Sequence, residues 1–175
     1  MHSIDLALLA LRVLVGGIFV GHALIKFTER FGGLGLDRAG AVFEQIGYRP
    51  PRPFLVAAGV TELTAGGMFL AGLATPMAAA ALVGVMVNAI GASKIGHGPW
   101  YFNSGWEYDL TLLVTAAVLA FTGPGYVSLD AALGLDAFGW SWGTGALALG
   151  LVSGGAVLKL RPRVARRTTT SAAAV

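Results

Sequence analysis

The chain contains no cysteine and only three histidines, His2, His22 and His97, among its 175 residues. The first absence excludes disulfides, thiol redox chemistry and cysteine-ligated zinc or iron–sulfur centres within this polypeptide. The second leaves a metal site poorly supplied, so no metal, haem or iron–sulfur cluster is expected. Charge is scarce too: 12% of residues are charged against 55% hydrophobic, and the mean hydropathy is +0.72. A soluble domain needs far less apolar material to fill one core, so the sequence predicts an integral membrane protein. The basic n-region of a cleavable signal peptide is also missing. The chain opens MHSID, and the apolar run that follows continues through His22 and Lys26, so the first span is expected to stay in the mature protein.

What the chain does have is long apolar runs. A bilayer crossing takes about 20 apolar residues in a helix, and residues 6–27, 54–73, 76–94, 106–121 and 138–160 are read as five spans. The fourth is short, with Trp100, Tyr101, Phe102, Trp106 and Tyr108 as headgroup anchors beside it, and the fifth follows a second aromatic group, Phe138, Trp140 and Trp142. All of residues 1–160 fit one helical bundle. The segment DRAGAVFEQI between the first two spans reads as a short surface helix with Val42, Phe43 and Ile46 toward lipid. GPGYVSLDAALGLD reads as a loop with one interfacial turn. The last residues, RPRVARRTTTSAAAV over 161–175, lack apolar periodicity and read as a disordered basic cytoplasmic tail.

Charge placement agrees with that count. Of twelve Lys and Arg, all but Arg12 fall in the 28–53 connection, the 95–105 connection, the tail or the adjoining helix ends. The opposite side carries only Asp5, Asp130 and Asp136. The positive-inside rule then places the N-terminus outside and the C-terminus in the cytoplasm.

One stretch breaks the apolar pattern. In LRVLVGGIFVGHALIKF, Arg12, His22 and Lys26 fall within an arc of about 80° on a helical wheel, opposite the GxxxG pair Gly17 and Gly21. Charge in the bilayer interior costs at least about 2.5 to 3.5 kcal/mol per residue unless paired, hydrated or snorkelling. The basic face is therefore expected to point into the bundle and the glycine face to allow close helix contact. The second span holds one acid, Glu62, at a depth between Arg12 and His22, within reach of either. Asn88 lies at a similar depth in the third span. A polar column results: Arg12, Glu62 and Asn88 in the middle, then His22, Lys26, Lys94, His97, Asn103 and Glu107 toward the cytoplasmic side.

Each member also has a purely structural explanation. Lys26 and Lys94 can snorkel from helix ends, Glu107 and Asp109 can complement a helix N-terminus, and Asn88 can be an interhelical hydrogen bond. Arg12 with Glu62 can be an ion pair that only fixes register. Ala146, Gly150 and Gly154 of the fifth span read as helix packing.

Taken in order, LRVLVGGIFVGHALIKF, FGGLG with the Pro-rich turn, GVTELTAGGMFLAGLATP and SGWEYDLTLL resemble the DoxX family of small bacterial membrane proteins, from about residue 6 to residue 121. The resemblance implies a four-helix transmembrane core, here followed by a fifth C-terminal helix. Arg12, His22, Lys26, Glu62, Asn103 and Glu107 match the family's polar positions. It also implies a redox role, because the family takes its name from membrane subunits of a thiosulfate:quinone oxidoreductase, while similar small bundles include assembly factors.

Two readings of function follow. In the first, the chain is a subunit of a quinone-linked redox system in the bacterial cytoplasmic membrane. His22 and Glu62 exchange protons, while Arg12, Lys26, Asn88, Lys94, His97, Asn103 and Glu107 hold a quinone or a small anionic substrate. The chain carries no visible electron carrier, so this reading calls for a redox partner subunit or a directly reacting donor. In the second, the chain is a non-enzymatic assembly or interaction protein; a carrier of small anions is a third, lesser reading. The expected surroundings are the lipid bilayer and a protein partner, with no nucleic acid, and a homo-oligomer is compatible with either reading. The topology has a direct test: single cysteines at Ser3 or Ser128 should label from outside the cell, and ones at Ala39 or Ser171 only after permeabilisation. Labelling of positions 3 and 171 from the same side would overturn the five-span count.

Overall fold

The protein's structure, a computed structural model, describes residues 2–161. It is all-α. In chain order the helices are α1 (Ser3–Phe27), α2 (Gly35–Gln45), α3 (Pro51–Ala71), α4 (Thr75–Ala89, continued by a π-type turn over Ile90–Lys94), α5 (Glu107–Thr122), α6 (Leu129–Ala132) and α7 (Trp140–Lys159). There is no strand among the described residues. The five long helices begin and end within three residues of the expected spans. Four of them, Ser3–Phe27, Pro51–Ala71, Thr75–His97 and Trp140–Lys159, are long and apolar enough to cross a membrane. With 16 residues, α5 rises only about 24 Å and is the short member of the bundle. Of the expected 161–175 tail, Arg161 is described and the rest lies outside the described residues.

Packing closes a ring in which α1 lies on α3, α3 on α4, α4 on α5, and α5 back on α1; α7 packs against α4 and α5 from outside the ring. The buried centre holds Phe19, Phe69, Leu82, Val83, Leu112 and Leu119. Large apolar side chains such as Leu14, Val60, Met77, Val114 and Leu149 cover the outward faces, as a lipid-facing surface requires. The hydroxyls on those faces bond within their own helices: Thr64 to Val60 O, Thr115 to Thr111 O and Thr144 to Trp140 O, at 2.8, 2.8 and 2.6 Å. No hydroxyl of these three threonines therefore needs a partner from the lipid.

Small residues set the helix spacings, though not all the expected ones. A methyl group on Gly16 would come within 2.7 Å of Gly66 O, so α1 and α3 meet backbone to backbone there. Gly17 and Gly21 meet nothing within 4 Å. The GxxxG pair thus lies on the outside of the bundle, and the helix contact runs one residue earlier, on the face that also buries Arg12, Val15 and Phe19. On α7, added methyls at Gly150 and Gly154 would each lie 2.7 Å from a carbonyl oxygen of α4, Ala80 and Gly84 respectively. The packing reading of Ala146, Gly150 and Gly154 holds.

A second correction concerns α2. Its buried residues are Gly35, Ala39 and Gly40, and it packs on α3 and α1. Phe43 and Ile46 are half-buried and line a cleft of the bundle, while Val42 stays exposed. The aromatic anchors divide similarly: Trp100, Tyr101 and Phe102 are exposed, whereas Tyr108 turns inward to His22.

The third correction concerns Arg12. It does not pair with Glu62; it is fully buried and donates to Phe69 O at 3.2 Å and to Val127 O, and among the described residues its Nε has no partner. Glu62 pairs instead with Lys26, Nζ to Oε2 at 2.5 Å. Side chains lean toward the N-terminus of their own helix. On α1 that lean carries Arg12 away from Glu62 and brings Lys26 toward it, while Glu62 on antiparallel α3 leans toward Lys26.

Arg12 belongs to a clasp at the end of the bundle that holds the N-terminus. There α3 ends at Gly72 in a left-handed conformation (φ 64°, ψ 45°), and a Cβ at Gly72 would overlap the Arg12 guanidinium. Only glycine meets both demands. Asp130, 1% exposed, donates its N–H to Gly72 O at 2.9 Å. Its carboxylate accepts from Ala74 N–H (2.7 Å), Thr75 N–H (3.1 Å) and Thr75 Oγ1 (2.8 Å), capping the start of α4. Asp5 on α1 accepts the Tyr126 N–H at 3.0 Å and ties the same segment to the first helix. The opposite, basic end carries Arg30, Arg38, Arg49, Arg52, Lys94, Lys159 and Arg161.

Removing one partner of the buried Lys26–Glu62 pair should destabilise by about 3 to 5 kcal/mol. In SDS-titration unfolding, Glu62→Gln with Lys26→Met should therefore recover part of the single losses. Arg12→Met with Glu62→Gln should add to within about 0.5 kcal/mol; strong coupling between Arg12 and Glu62 would contradict the observed pairing. Asp130→Asn should cost about 1.5 to 3 kcal/mol by the same measurement, since it loses charge-assisted bonds to the first turn of α4.

Candidate functional site

At the basic end, α1, α3, α4, α5 and α7 surround a cavity of about 590 Å³, to which α2 and the turn after it also contribute. Most of its wall is apolar: Phe43, Phe54, Ala57, Val85, Met86, Leu112 and Val157. Its polar part is built from two ion pairs. Lys26 reaches Glu62 at 2.5 Å and also lies 3.3 Å from His22 O. Lys94 reaches Asp109 at 2.7 Å. Both carboxylates are buried, with side chains 5% and 7% exposed.

Local structure explains why these residues meet. The π-type turn over Ile90–Lys94 widens the last turn of α4 and re-aims the side chains that follow. Lys94 then meets Asp109 in the first turn of α5. Ser93 bonds back to Ala89 O at 2.8 Å, and Arg161 from the end of α7 donates to Ala92 O at 2.7 Å, so the widened turn is held from both sides. His22 and Tyr108 line the same cavity with ring centroids 6.4 Å apart. Among the described residues the His22 ring makes no hydrogen bond, so its nitrogens are free for a ligand.

Asn88 also lines the cavity, but its amide is largely engaged. It donates to Gly84 O and Gly154 O at 3.0 Å each and accepts from Tyr48 Oη at 2.6 Å. With both N–H donors used, it fastens α4 to α7 and to the α2–α3 turn. Burial pushes the Tyr48 phenol above its ordinary pKa, so it stays protonated and keeps donating.

Of the nine residues singled out in the sequence, the structure brings five to this cavity: His22, Lys26, Glu62, Asn88 and Lys94. Arg12 lies in the clasp at the other end. His97 and Asn103 are exposed, because the loop between α4 and α5 folds on itself through Gly105 N–H to Trp100 O and Glu107 N–H to Pro99 O, both 2.9 Å, and turns them outward. Glu107 accepts the Tyr101 N–H at 2.7 Å and braces that loop.

Three titratable cavity residues were not among the nine: Asp109, Tyr108 and Tyr48. Asp109 had a readable signal. With Leu112, Ala116, Leu119 and Ala120 it forms the buried face of α5 at helical spacing, which sets it inward and Glu107 aside. Tyr48 sits in a turn and belongs to no periodic pattern.

The site is apolar, with the His22 imidazole and two charge-balanced pairs along one part of its wall. Among the described residues, no group of three or more His, Asp or Glu could hold a metal ion. The arrangement suits a largely uncharged ligand that accepts hydrogen bonds.

Comparison with known proteins agrees with the architecture. A sequence model of the DoxX family matches residues 7–97, from the start of α1 through the end of the α4 segment. The Bacillus subtilis (strain 168) protein named "Putative oxidoreductase CatD" is 32% identical over 128 residues, 73% of this chain and 87% of its own length. The Mycobacterium tuberculosis (strain H37Rv) protein named "Uncharacterized membrane protein Rv3486" is 32% identical over 135 residues, 71% of this chain and 79% of its own length. No solved structure matches the chain significantly. With the family's sequence pattern running through α1 to α4, the helices that carry Arg12, Glu62 and Lys26, this chain belongs to the DoxX family of membrane proteins.

Proposed function

We propose that this protein is the membrane-embedded subunit of a quinone-linked redox system, that it lies in the bacterial cytoplasmic membrane with its basic end in the cytoplasm, and that the cavity takes the quinone head. One observation carries the reading: an apolar cavity of about 590 Å³ in which the His22 ring has no hydrogen-bond partner among the described residues and both lysines are already neutralised by Glu62 and Asp109. Two lysines against two carboxylates sum to zero, which favours an uncharged ring over an anionic substrate. The relative named as an oxidoreductase supports the same direction.

A bound quinone would supply two-electron, two-proton chemistry, with electrons from a redox partner subunit. The chain's own residues handle protons and position. Lys26 can shift a donor from Glu62 to a carbonyl oxygen, since its Nζ also lies near His22 O. His22 can give or take a proton at a ring nitrogen. Glu62 and Asp109, ionised beside their lysines, are the bases that can take up a proton passed on from the ligand site, and the paired lysine ammonium groups are the donors that can supply one.

His22→Phe keeps an aromatic ring in an apolar wall, so the bundle should stay folded. Quinone retained after extraction in native lipid, measured by chromatography, or quinone-dependent turnover with the natural partner, should fall by about tenfold or more. Wild-type protein carrying no quinone above the lipid background, with no quinone-dependent reaction alongside any co-purifying protein, would overturn the reading in favour of an assembly role.

A further inference from the structure

The cavity has two unlike ends. Its polar end holds His22 and the Lys26–Glu62 and Lys94–Asp109 pairs, with the lysine side chains 18% and 28% exposed. Its other end runs between α3 and α7. Both helices pack on α4, with no comparable contact between them. A gap remains, whose floor is α4 at Ala81, Gly84 and Asn88 and whose lips are Ala57 on α3 and Ser153 on α7. Mostly small side chains line it, which leaves its width unfilled. Both lips are exposed, so the cavity is open here without any movement of the chain.

Depth decides what the gap opens onto. Ala57 lies six residues from the start of α3 at Pro51, and Ser153 six residues from the end of α7 at Lys159, so each lip stands about 9 Å inside the basic end. Arg52 and Lys159 belong at the headgroup level, which puts the lips in the hydrocarbon layer. On the headgroup side the wall is apolar and aromatic, from Phe43, Ile46 and Tyr48, and Tyr48 is tied to Asn88 at 2.6 Å. The polar groups of the gap itself are already bonded. Asn88 donates to Gly84 O and Gly154 O, and Ser153 Oγ to Gly150 O at 3.2 Å. Neither residue needs water, and hydrocarbon can fill the space beside them.

We infer that the α3–α7 gap is a lateral mouth of the cavity: the ligand comes from the hydrocarbon layer and leaves an apolar tail in the gap while its polar head lies at the lysine–carboxylate end. Resting on the cavity as the ligand site, this makes the substrate the tailed, membrane-dissolved form of a quinone. A tail seated in the gap gains no hydrophobic energy, because lipid surrounds it equally well outside. The gap selects by space instead. A head without a tail fits whether or not a mouth exists, whereas a tailed head needs an exit for its tail.

Two measurements in lipid nanodiscs test this. The first needs no ligand, and the absence of native cysteine makes it direct. Nitroxide labels on single cysteines at Ala57 and Ser153 should be relaxed more by oxygen, which concentrates in hydrocarbon, than by a water-soluble nickel complex, with the reverse at exposed His97. Stronger relaxation by nickel at 57 and 153 would open the cavity to water and overturn the inference. Poor access of both reagents would put a second protein copy over the gap and overturn it too. The second measurement compares a benzoquinone bearing a decyl chain with the same ring bearing a methyl group, each read as quinone retained on the protein relative to its content in the lipid. Ala57→Phe adds bulk at the mouth from an exposed position. It should lower retention of the decyl quinone by about tenfold or more, the scale of steric overpacking, and that of the methyl quinone by less than about twofold. Val60→Phe, exposed on the same helix but off the cavity wall, should change neither. Equal losses for the two quinones, or no loss of either, would overturn the inference. If the wild type retains neither quinone, the quinone reading falls and the nitroxide result alone decides the mouth.

Discussion

A polar group in hydrocarbon must find its partner inside the protein, and most of this architecture follows from that constraint. The chain has few charged residues and buries several of them: Arg12, Glu62, Asp109 and Asp130. None can be hydrated from the lipid side. Each is met by a backbone group or an opposite charge, and meeting those needs draws distant parts of the chain together. Arg12 joins α1 to the end of α3 and to the loop before α6. Asp130 joins that loop to the start of α4. Glu62 and Asp109 do the equivalent at the other end, for α1 with α3 and α4 with α5.

The two ends use such partnering for different purposes. At the N-terminal end the partners are mostly backbone groups near helix termini. At the basic end the partners are side chains at the edge of a cavity. The first arrangement fastens helix ends together, whereas the second sets paired charges beside an apolar space. The His22 ring, which has no hydrogen-bond partner among the described residues, distinguishes the second case.

The fifth helix lies outside the four-membered ring, and its contribution is indirect. Through Gly150 and Gly154 it sits against α4, through Gly154 O it orients Asn88, and through Arg161 it holds Ala92 O in the widened turn that delivers Lys94. A helix that supplies only Ser153, Gly154 and Val157 to the cavity thus determines where two polar cavity residues stand.

The sequence by itself determined the solvent, the number and limits of the long helices, the sorting of charge to one end and five of the polar residues that line the cavity. These depend on local quantities, the length of an apolar run and the cost of charge in hydrocarbon, which are read without knowing neighbours. Tertiary structure alone decided the partners. Helix periodicity placed Arg12, His22 and Lys26 on one face, but the pairing of Glu62 turned on the lean of side chains along antiparallel helices, which carries Lys26 toward it and Arg12 away. The GxxxG pair failed as a contact for a related reason: two wheel positions show that a face is smooth, and only the packed bundle shows whether another helix lies against it. His97 and Asn103 were displaced by loop hydrogen bonds that no periodicity encodes, and Tyr48 entered the site from a turn. Asp109 was legible from the spacing of its own helix, because burial on one face repeats every three to four residues even where the buried residue is charged.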